Sequence, residues 1–190
     1  MSEMPPVAIA ALALLCERPM HPYEMFQTLR ERHEDGNLSI SVGSLYHAVA
    51  KLEEKGRVRA VSTEQVGNRP ERTTYEILPS GVEAMRARID ELLRQPAPVA
   101  STAAVAVAEI HHLRREDAVE CLRARVAALD DDLEQRATLL SLAADRKVPE
   151  VFYLAGPYTT AIRQAERDWI AGLLTRIERG DLTWPPTPTA

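Results

Sequence analysis

The sequence predicts a mainly α-helical protein carrying one small β-hairpin, divided into an N-terminal domain and an all-helical second half. Three observations carry that expectation. In residues 39–57, Leu45, Ala48, Val49 and Leu52 recur at i, i+3, i+4 and i+7, one narrow apolar stripe on a helix. Two runs of period-two alternation follow at once, Arg57–Ser62 and Thr73–Leu78, around the turn-rich Val66-Gly67-Asn68-Arg69-Pro70. Beyond Gln95-Pro96-Ala97-Pro98-Val99, which breaks a helix beginning near Pro79, the apolar pattern changes to long helical seams.

Taken in order, Pro6 to Glu17 is apolar on nearly every side, as a core helix should be. Pro22, at a first-turn position, opens a second helix through Tyr23, Met25, Phe26, Leu29 and Arg30, ended by His33-Glu34-Asp35-Gly36-Asn37. Ser41 can cap the third helix, and Gly56 suits a left-handed stop after it. Opposite the apolar stripe of that helix stand Ser44, His47 and Lys51, with Tyr46 at the edge. A short helix with an apolar back and a polar, cationic front can dock on a core and reach into a groove, although an ordinary amphipathic surface helix reads similarly. The hairpin after it tips the balance, because three helices and a hairpin make a winged helix-turn-helix.

In that fold the hairpin tip lies over DNA phosphates, and Arg69 and Arg72 stand where it would need cations. Ser41, Gly43 and Ser44 lie near the N-terminus of the third helix, where backbone N–H groups favour a phosphate. Tyr46 and His47 are candidates for phosphate or base-edge contact, and Lys51 for phosphate.

Residues 8–90 resemble the PadR family of bacterial transcriptional regulators. The resemblance runs through Leu14-Leu15-Cys16-Glu17-Arg18-Pro19-Met20-His21-Pro22-Tyr23-Glu24-Met25 and then Ser41–Gly56, with its Gly43-Ser44-Leu45-Tyr46 core and Leu52-Glu53-Glu54-Lys55-Gly56 ending. It closes with Arg72-Thr73-Thr74-Tyr75-Glu76-Ile77-Leu78-Pro79-Ser80-Gly81. Two positions depart from the family pattern. Pro22 replaces a common Gly, and Leu78 replaces a Thr that usually caps the next helix, leaving that task to Ser80 or a backbone group. The resemblance implies a sequence-specific DNA-binding regulator, and, in the longer subgroup, a C-terminal helical domain that dimerises. It also implies that a phenolic or drug-like effector can act, though no position here singles one out.

The second half is expected to supply the dimer. After Arg114-Arg115-Glu116-Asp117 a long helix carries Leu122, Val126, Leu129, Leu133 and Leu140, ended by Lys147-Val148-Pro149. A further helix carries Phe152, Ala155, Tyr158, Ile162, Ala165, Trp169, Leu173 and Ile177 until Gly180. Seams of this length ask for each other and for a second subunit, with an internal monomeric bundle as the alternative. The expected dimer contacts are Leu122, Val126, Leu129, Leu133, Ile162, Trp169 and Leu173. The expected domains are 1–95 (winged helix), 96–182 (helical dimerisation) and 183–190, a loose Pro-rich tail.

Composition narrows the function classes. The 190-residue chain has a formal net charge of −5, which argues against a protein that coats nucleic acid indiscriminately. Residues 40–75 nevertheless hold six cations against four carboxylates, a local +2. A small basic face on an acidic protein can bind a specific site, with steep salt dependence. Cys16 and Cys121 are isolated and expected to be buried free thiols. The N-terminus lacks a basic stretch ahead of its apolar one, and the first helix is too short to span a bilayer, so a cytoplasmic protein is expected.

Enzyme chemistry finds no footing: there is no Ser-His-Asp ordering, no phosphate-cradling glycine loop and no zinc spacing. No cofactor or metal is expected. Adjacent His111 and His112 project about 100° apart on a helix, and Asp130-Asp131-Asp132 reads as a solvated run. The sequence therefore points to a homodimeric repressor on a pseudo-palindromic double-stranded DNA operator. Two other readings stay open: a helical adaptor whose winged helix binds a protein, and a small-molecule sensor with Tyr23, Phe26, Tyr158 or Trp169 lining an apolar pocket.

Overall fold

A computed structural model describes residues 4–32, 40–64, 72–95 and 102–185. The chain divides into two compact units, residues 1–98 and 99–190.

In the first unit α1 (Pro6–Glu17) buries Ala8, Ala11, Leu12, Leu14 and Leu15. Ala13 and Cys16, one turn apart on its outer face, are exposed. The expectation of a buried Cys16 is thus corrected: even a helix this apolar keeps one face in water. Cys121 is exposed as well. Helix α2 (Pro22–Glu31) starts at His21, whose Nδ1 accepts the Tyr23 N–H at 3.2 Å, and it buries Pro22, Met25 and Leu29. Helix α3 (Val42–Glu54) buries Leu45, Ala48, Val49 and Leu52, the stripe read from its spacing. Its end turns through Gly56 at φ +61°, where a side chain would be strained.

Strands β1 (Val58–Glu64) and β2 (Arg72–Ile77) pair antiparallel, Val58 opposite Ile77 and Ala60 opposite Tyr75, with a register irregularity between Ala60 and Ser62. Met20 adds a bridge to Tyr75 with two 3.0 Å backbone hydrogen bonds, tying the link between α1 and α2 to the hairpin. Helix α4 (Pro79–Arg94) opens at Leu78 without a side-chain cap. Ser80 does not supply one; its hydroxyl donates to the Gly56 carbonyl at 2.6 Å. The Leu78 carbonyl instead accepts the Gly81 and Val82 N–H groups, and Arg57 donates to the Ser80 carbonyl at 2.7 Å. A Cβ at Gly81 would stand 2.3 Å from the Arg57 carbonyl oxygen, so this crossing requires glycine.

In the second unit α5 (Thr102–Ala108) and a 3₁₀ turn (Ile110–His112) lead into α6 (Arg115–Asp145). A second 3₁₀ turn (Glu150–Phe152) precedes α7 (Ala155–Arg179), closed by Gly180 at φ +77°. Phe152 therefore lies outside the helix expected to carry it, and is exposed. Helices α6 and α7 pair antiparallel. Leu122, Ile170 and Ile177 form the buried centre, flanked by Val107, Ile110, Val119, Val126, Leu173, Leu174, Leu182 and Trp184.

Ion pairs stitch the seam. Arg167 meets Asp130 at 2.7 Å, Arg123 meets Glu178 at 2.6 Å, and Arg125 meets Glu166. The Asp130–Asp132 run is thus more than a solvated face, since Asp132 also engages Arg136 at 2.7 Å.

Four further features of the single chain bear on the expectations for this half. Trp169 is 56% exposed, and the buried neighbour is Ile170. The stripe Ile162–Ala165–Trp169 is rotated by one residue, about 100°, from the stripe that packs on α6. Leu122 and Leu129 are buried within one chain, which leaves little of either for a partner. The expected loose tail is held at Trp184, whose indole N–H donates to the Leu113 carbonyl at 2.9 Å; residues 186–190 lie outside the described residues. Finally, the His111 and His112 rings lie with centroids 4.2 Å apart. Side-chain torsions swing the rings away from the divergent Cα–Cβ directions on which the helical projection rests.

Candidate nucleic-acid interface

The exposed face of α3 runs Gly43, Tyr46, His47, Ala50, Lys51 and Glu54, spaced by three and four. This is the direct complement of the buried stripe. Because Leu45, Ala48, Val49 and Leu52 fix the rotation of the helix on the core, the outward orientation of Tyr46, His47 and Lys51 is set by packing.

At the helix start, Ser41 and Ser44 form a reciprocal capping box. Ser44 N–H donates to Ser41 Oγ at 3.1 Å, and Ser41 N–H donates to Ser44 Oγ at 2.9 Å. The Ser44 hydroxyl donates in turn to the Ser41 carbonyl at 2.8 Å. Both hydroxyls therefore serve the backbone first. Gly43 is exposed between them, and its nearest non-local atom to a built Cβ is Ser41 Oγ at 4.0 Å, so nothing bulky covers this first turn.

Tyr46 is half-exposed, and its hydroxyl lies 3.2 Å from His21 Nε2, with the two rings edge to face at 5.5 Å. Since His21 Nδ1 accepts the Tyr23 N–H, the neutral ring carries its proton on Nε2 and donates to the Tyr46 oxygen. The Tyr46 O–H is then left to donate elsewhere. Sequence reasoning missed His21, although its place immediately before Pro22 at the helix start was a readable signal for a cap.

Lys51 pairs with Glu54 at 2.9 Å, both side chains exposed, and this ammonium holds the Glu54 carboxyl below the usual carboxylate range. Such a pair is loosely held, so Lys51 can exchange Glu54 for another anion. On the hairpin Arg59 pairs with Glu76 at 2.5 Å. Arg72 opens β2 opposite Glu64 in backbone register. Arg69 lies outside the described residues.

The aromatic candidates for a ligand pocket separate. Phe26 packs against the core of the first unit with the Arg30 guanidinium 5.8 Å from its ring centre. Tyr23 lines an open cavity of about 400 Å³ with His21, Glu24 and Gln27, and Tyr158 and Trp169 are exposed on α7. No helix among the described residues is long and apolar enough to cross a membrane.

Comparison with known proteins places this geometry. Residues 11–87 match the model of the transcriptional regulator PadR-like family. Among solved structures, Bacillus subtilis PadR in complex with operator DNA superposes with a TM-score of 0.72 at 20% identity, covering 90% of this chain and 98% of that one. The same protein in complex with p-coumaric acid gives 0.70 at 19% identity, with coverage of 90% and 98%. The protein smu.1604c from Streptococcus mutans UA159 gives 0.65 at 15% identity, covering 90% of this chain and 99% of that one. These likenesses extend the shared fold over both units. No curated protein matches the chain.

Proposed function

We propose that this chain, whose residues 11–87 match the transcriptional regulator PadR-like family, is a regulator of that kind and binds double-stranded DNA through the outer face of α3. That family acts in transcription regulation and not as an enzyme. The observation that carries the proposal is the division of α3 into a buried stripe and a continuous exposed face bearing Tyr46, His47 and Lys51.

In the proposed mechanism α3 enters a major groove. Tyr46, its hydroxyl oriented by His21, and His47 meet phosphates or base edges, and Lys51 leaves Glu54 for a phosphate. Gly43 lets the backbone of the first turn approach a phosphate, while Ser41 and Ser44 contribute mainly by holding that turn. Arg69, in the sequence between the two strands, and Arg72, at the start of β2, add flanking phosphate contacts. The net negative charge of the chain confines attraction to this face.

The functional unit is proposed to be a homodimer reading a pseudo-palindrome, with half-sites about one helical turn apart, and to repress by occupying the operator. Support for the dimer comes from α7, where Tyr158, Ile162 and Trp169 are exposed apolar residues that a second copy would cover, with Val126, Leu133 and Leu173 at the margins. A small aromatic effector that releases DNA is the regulatory counterpart; its support is the p-coumaric acid complex of Bacillus subtilis PadR.

The test is footprinting of the purified protein on the DNA around its own gene. A protected, two-fold related segment that is lost on raising the salt is expected. Protection that is absent, or equal on every sequence, overturns the reading.

A further inference from the structure

Glu109, His111 and His112 sit in the second unit, on the short turn that joins α5 to α6. One ligand atom from each lies within 4.8 Å of the others, and all three side chains are exposed. The two imidazoles are tilted by 37° with centroids 4.2 Å apart, and a nitrogen of each belongs to that group of neighbouring ligand atoms. Glu109 Oε2 is 3.3 Å from His112 Nε2. His111 Nδ1 is 3.2 Å from the Ala108 carbonyl oxygen. A carbonyl only accepts, so Nδ1 carries the proton and the lone pair of His111 is on Nε2. A backbone carbonyl on the far nitrogen is how metal-binding imidazoles are commonly oriented.

We propose that Glu109, His111 and His112 form a binding site for one divalent transition-metal ion of the zinc, nickel or copper type. The donor set decides the class. Two imidazoles and one carboxylate suit these borderline ions, whereas magnesium and calcium ask for oxygen ligands throughout. Three protein ligands on one turn occupy one side of the ion and leave its remaining positions to water.

The location gives binding a structural consequence. Ile110, between the ligands, packs against the buried centre of the second unit, and Leu113, directly after them, holds the Trp184 indole through its carbonyl. An ion on this turn fixes the corner from which α6 starts, and stabilises the second unit in proportion to its occupancy. Trp184 is also a built-in reporter, since nickel or copper nearby quenches indole fluorescence.

The experiment titrates the full-length, untagged protein with Zn²⁺ and Ni²⁺ by calorimetry, with Mg²⁺ as control, and follows melting temperature and Trp184 emission in a Trp169→Phe background. One ion per chain is expected, with a melting temperature that rises with metal and quenching by Ni²⁺. His111→Gln and His112→Gln should each weaken binding by about tenfold or more, and Glu109→Gln by less, because a neutral amide oxygen still coordinates weakly. Circular dichroism checks that these surface variants fold. Zn²⁺ binding that persists unchanged in the doubly substituted His111→Gln, His112→Gln chain overturns the site. So does the lack of any binding up to about 1 mM, which would leave Glu109 and His112 as a simple surface contact.

Discussion

The two halves of this chain spend their apolar residues differently. Among the described residues, the first unit closes one core of thirteen buried side chains drawn from α1, α2, α3, β1 and the link at Met20. The core centre of the second unit has three, along a single seam between two much longer helices. Its surface keeps Val151, Phe152, Leu154, Tyr158 and Trp169 more than half exposed. A layered domain buries each stripe against another element, whereas a helix pair has only one seam and leaves a second stripe in water. The first unit covers its apolar stripes within itself; the second leaves one uncovered within a single chain.

The largest effects should separate the halves most cleanly. Leu45→Ala removes a fully buried side chain from the stripe that seats α3, and should cost about 2–5 kcal/mol. Gly81→Ala drives a methyl group into the Arg57 carbonyl and should cost about 1–3 kcal/mol. Both losses should appear in urea melting of the whole chain, and both should survive in a chain ending at Gln95, which is expected to fold by itself. If that shorter chain has no cooperative transition, the self-sufficiency of the first unit is refuted.

Next in size is Trp169→Ala. In a seam-facing position it would unfold the second unit; as an exposed side chain it should leave the helix pair nearly as stable. If a partner copy covers it, truncation removes an interface aromatic worth about 2 kcal/mol or more, and sedimentation shows monomers where the parent chain gives dimers. A large drop in melting temperature that is independent of protein concentration would place Trp169 in the fold of one chain.

The same contrast explains what could be read from residues alone. The α3 stripe, its Ser41 cap, the Gly56 stop and the hairpin were legible because each depends on local spacing and turn chemistry. In α7 two apolar stripes one residue apart compete, and only the partner helix decides that Ile170 and Ile177 turn inward while Ile162 and Trp169 do not. Trp184 was obscured by the prolines behind it, and its hydrogen bond to Leu113 spans a sequence gap that no local rule bridges. His21 fell between: its capping role is local, but its reach to Tyr46 is tertiary.

Smaller effects fall on the exposed face of α3. Tyr46→Ala and Lys51→Ala both leave the buried stripe intact, so circular dichroism and melting should barely change. Operator affinity should fall in each, and loss of a Lys51–phosphate contact should flatten the dependence of log affinity on log salt by about one unit per site. His21→Ala should mimic a weaker Tyr46→Ala, since it frees the tyrosine without deleting it. Equal operator affinity in all three variants would remove this face as the reader and strengthen the adaptor reading.

The smallest expected effect is a difference in acid sensitivity. Burial pushes the Glu166 carboxyl upward, yet the hydrogen bonds and charges of Arg125 and Arg163 outweigh it and hold the group below its usual range. Asp130 is lowered by its hydrogen bond to Arg167. Carboxyls depressed in the folded state stabilise it fully above their unfolded pKa values, about 3.9 for Asp and 4.3 for Glu. That stabilisation is lost as the pH falls through the lower, folded values, so melting temperature should be flat near neutrality and decline below about pH 4. Glu17 and Glu24 in the first unit are lowered in the same sense by Arg32 and Arg18, but those pairs sit at the surface ends of α1 and α2 beside a closed core. The pairs of Asp130 and Glu166 bridge the long seam between α6 and α7. Both tryptophans, Trp169 and Trp184, lie in that unit, so their fluorescence follows it alone while far-ultraviolet circular dichroism follows the whole chain. On acidification the fluorescence transition should move to lower temperature ahead of the remaining helical signal. Coincident transitions at every pH would mean that the two units melt as one, and the contrast between a closed core and an open seam would lose its energetic content.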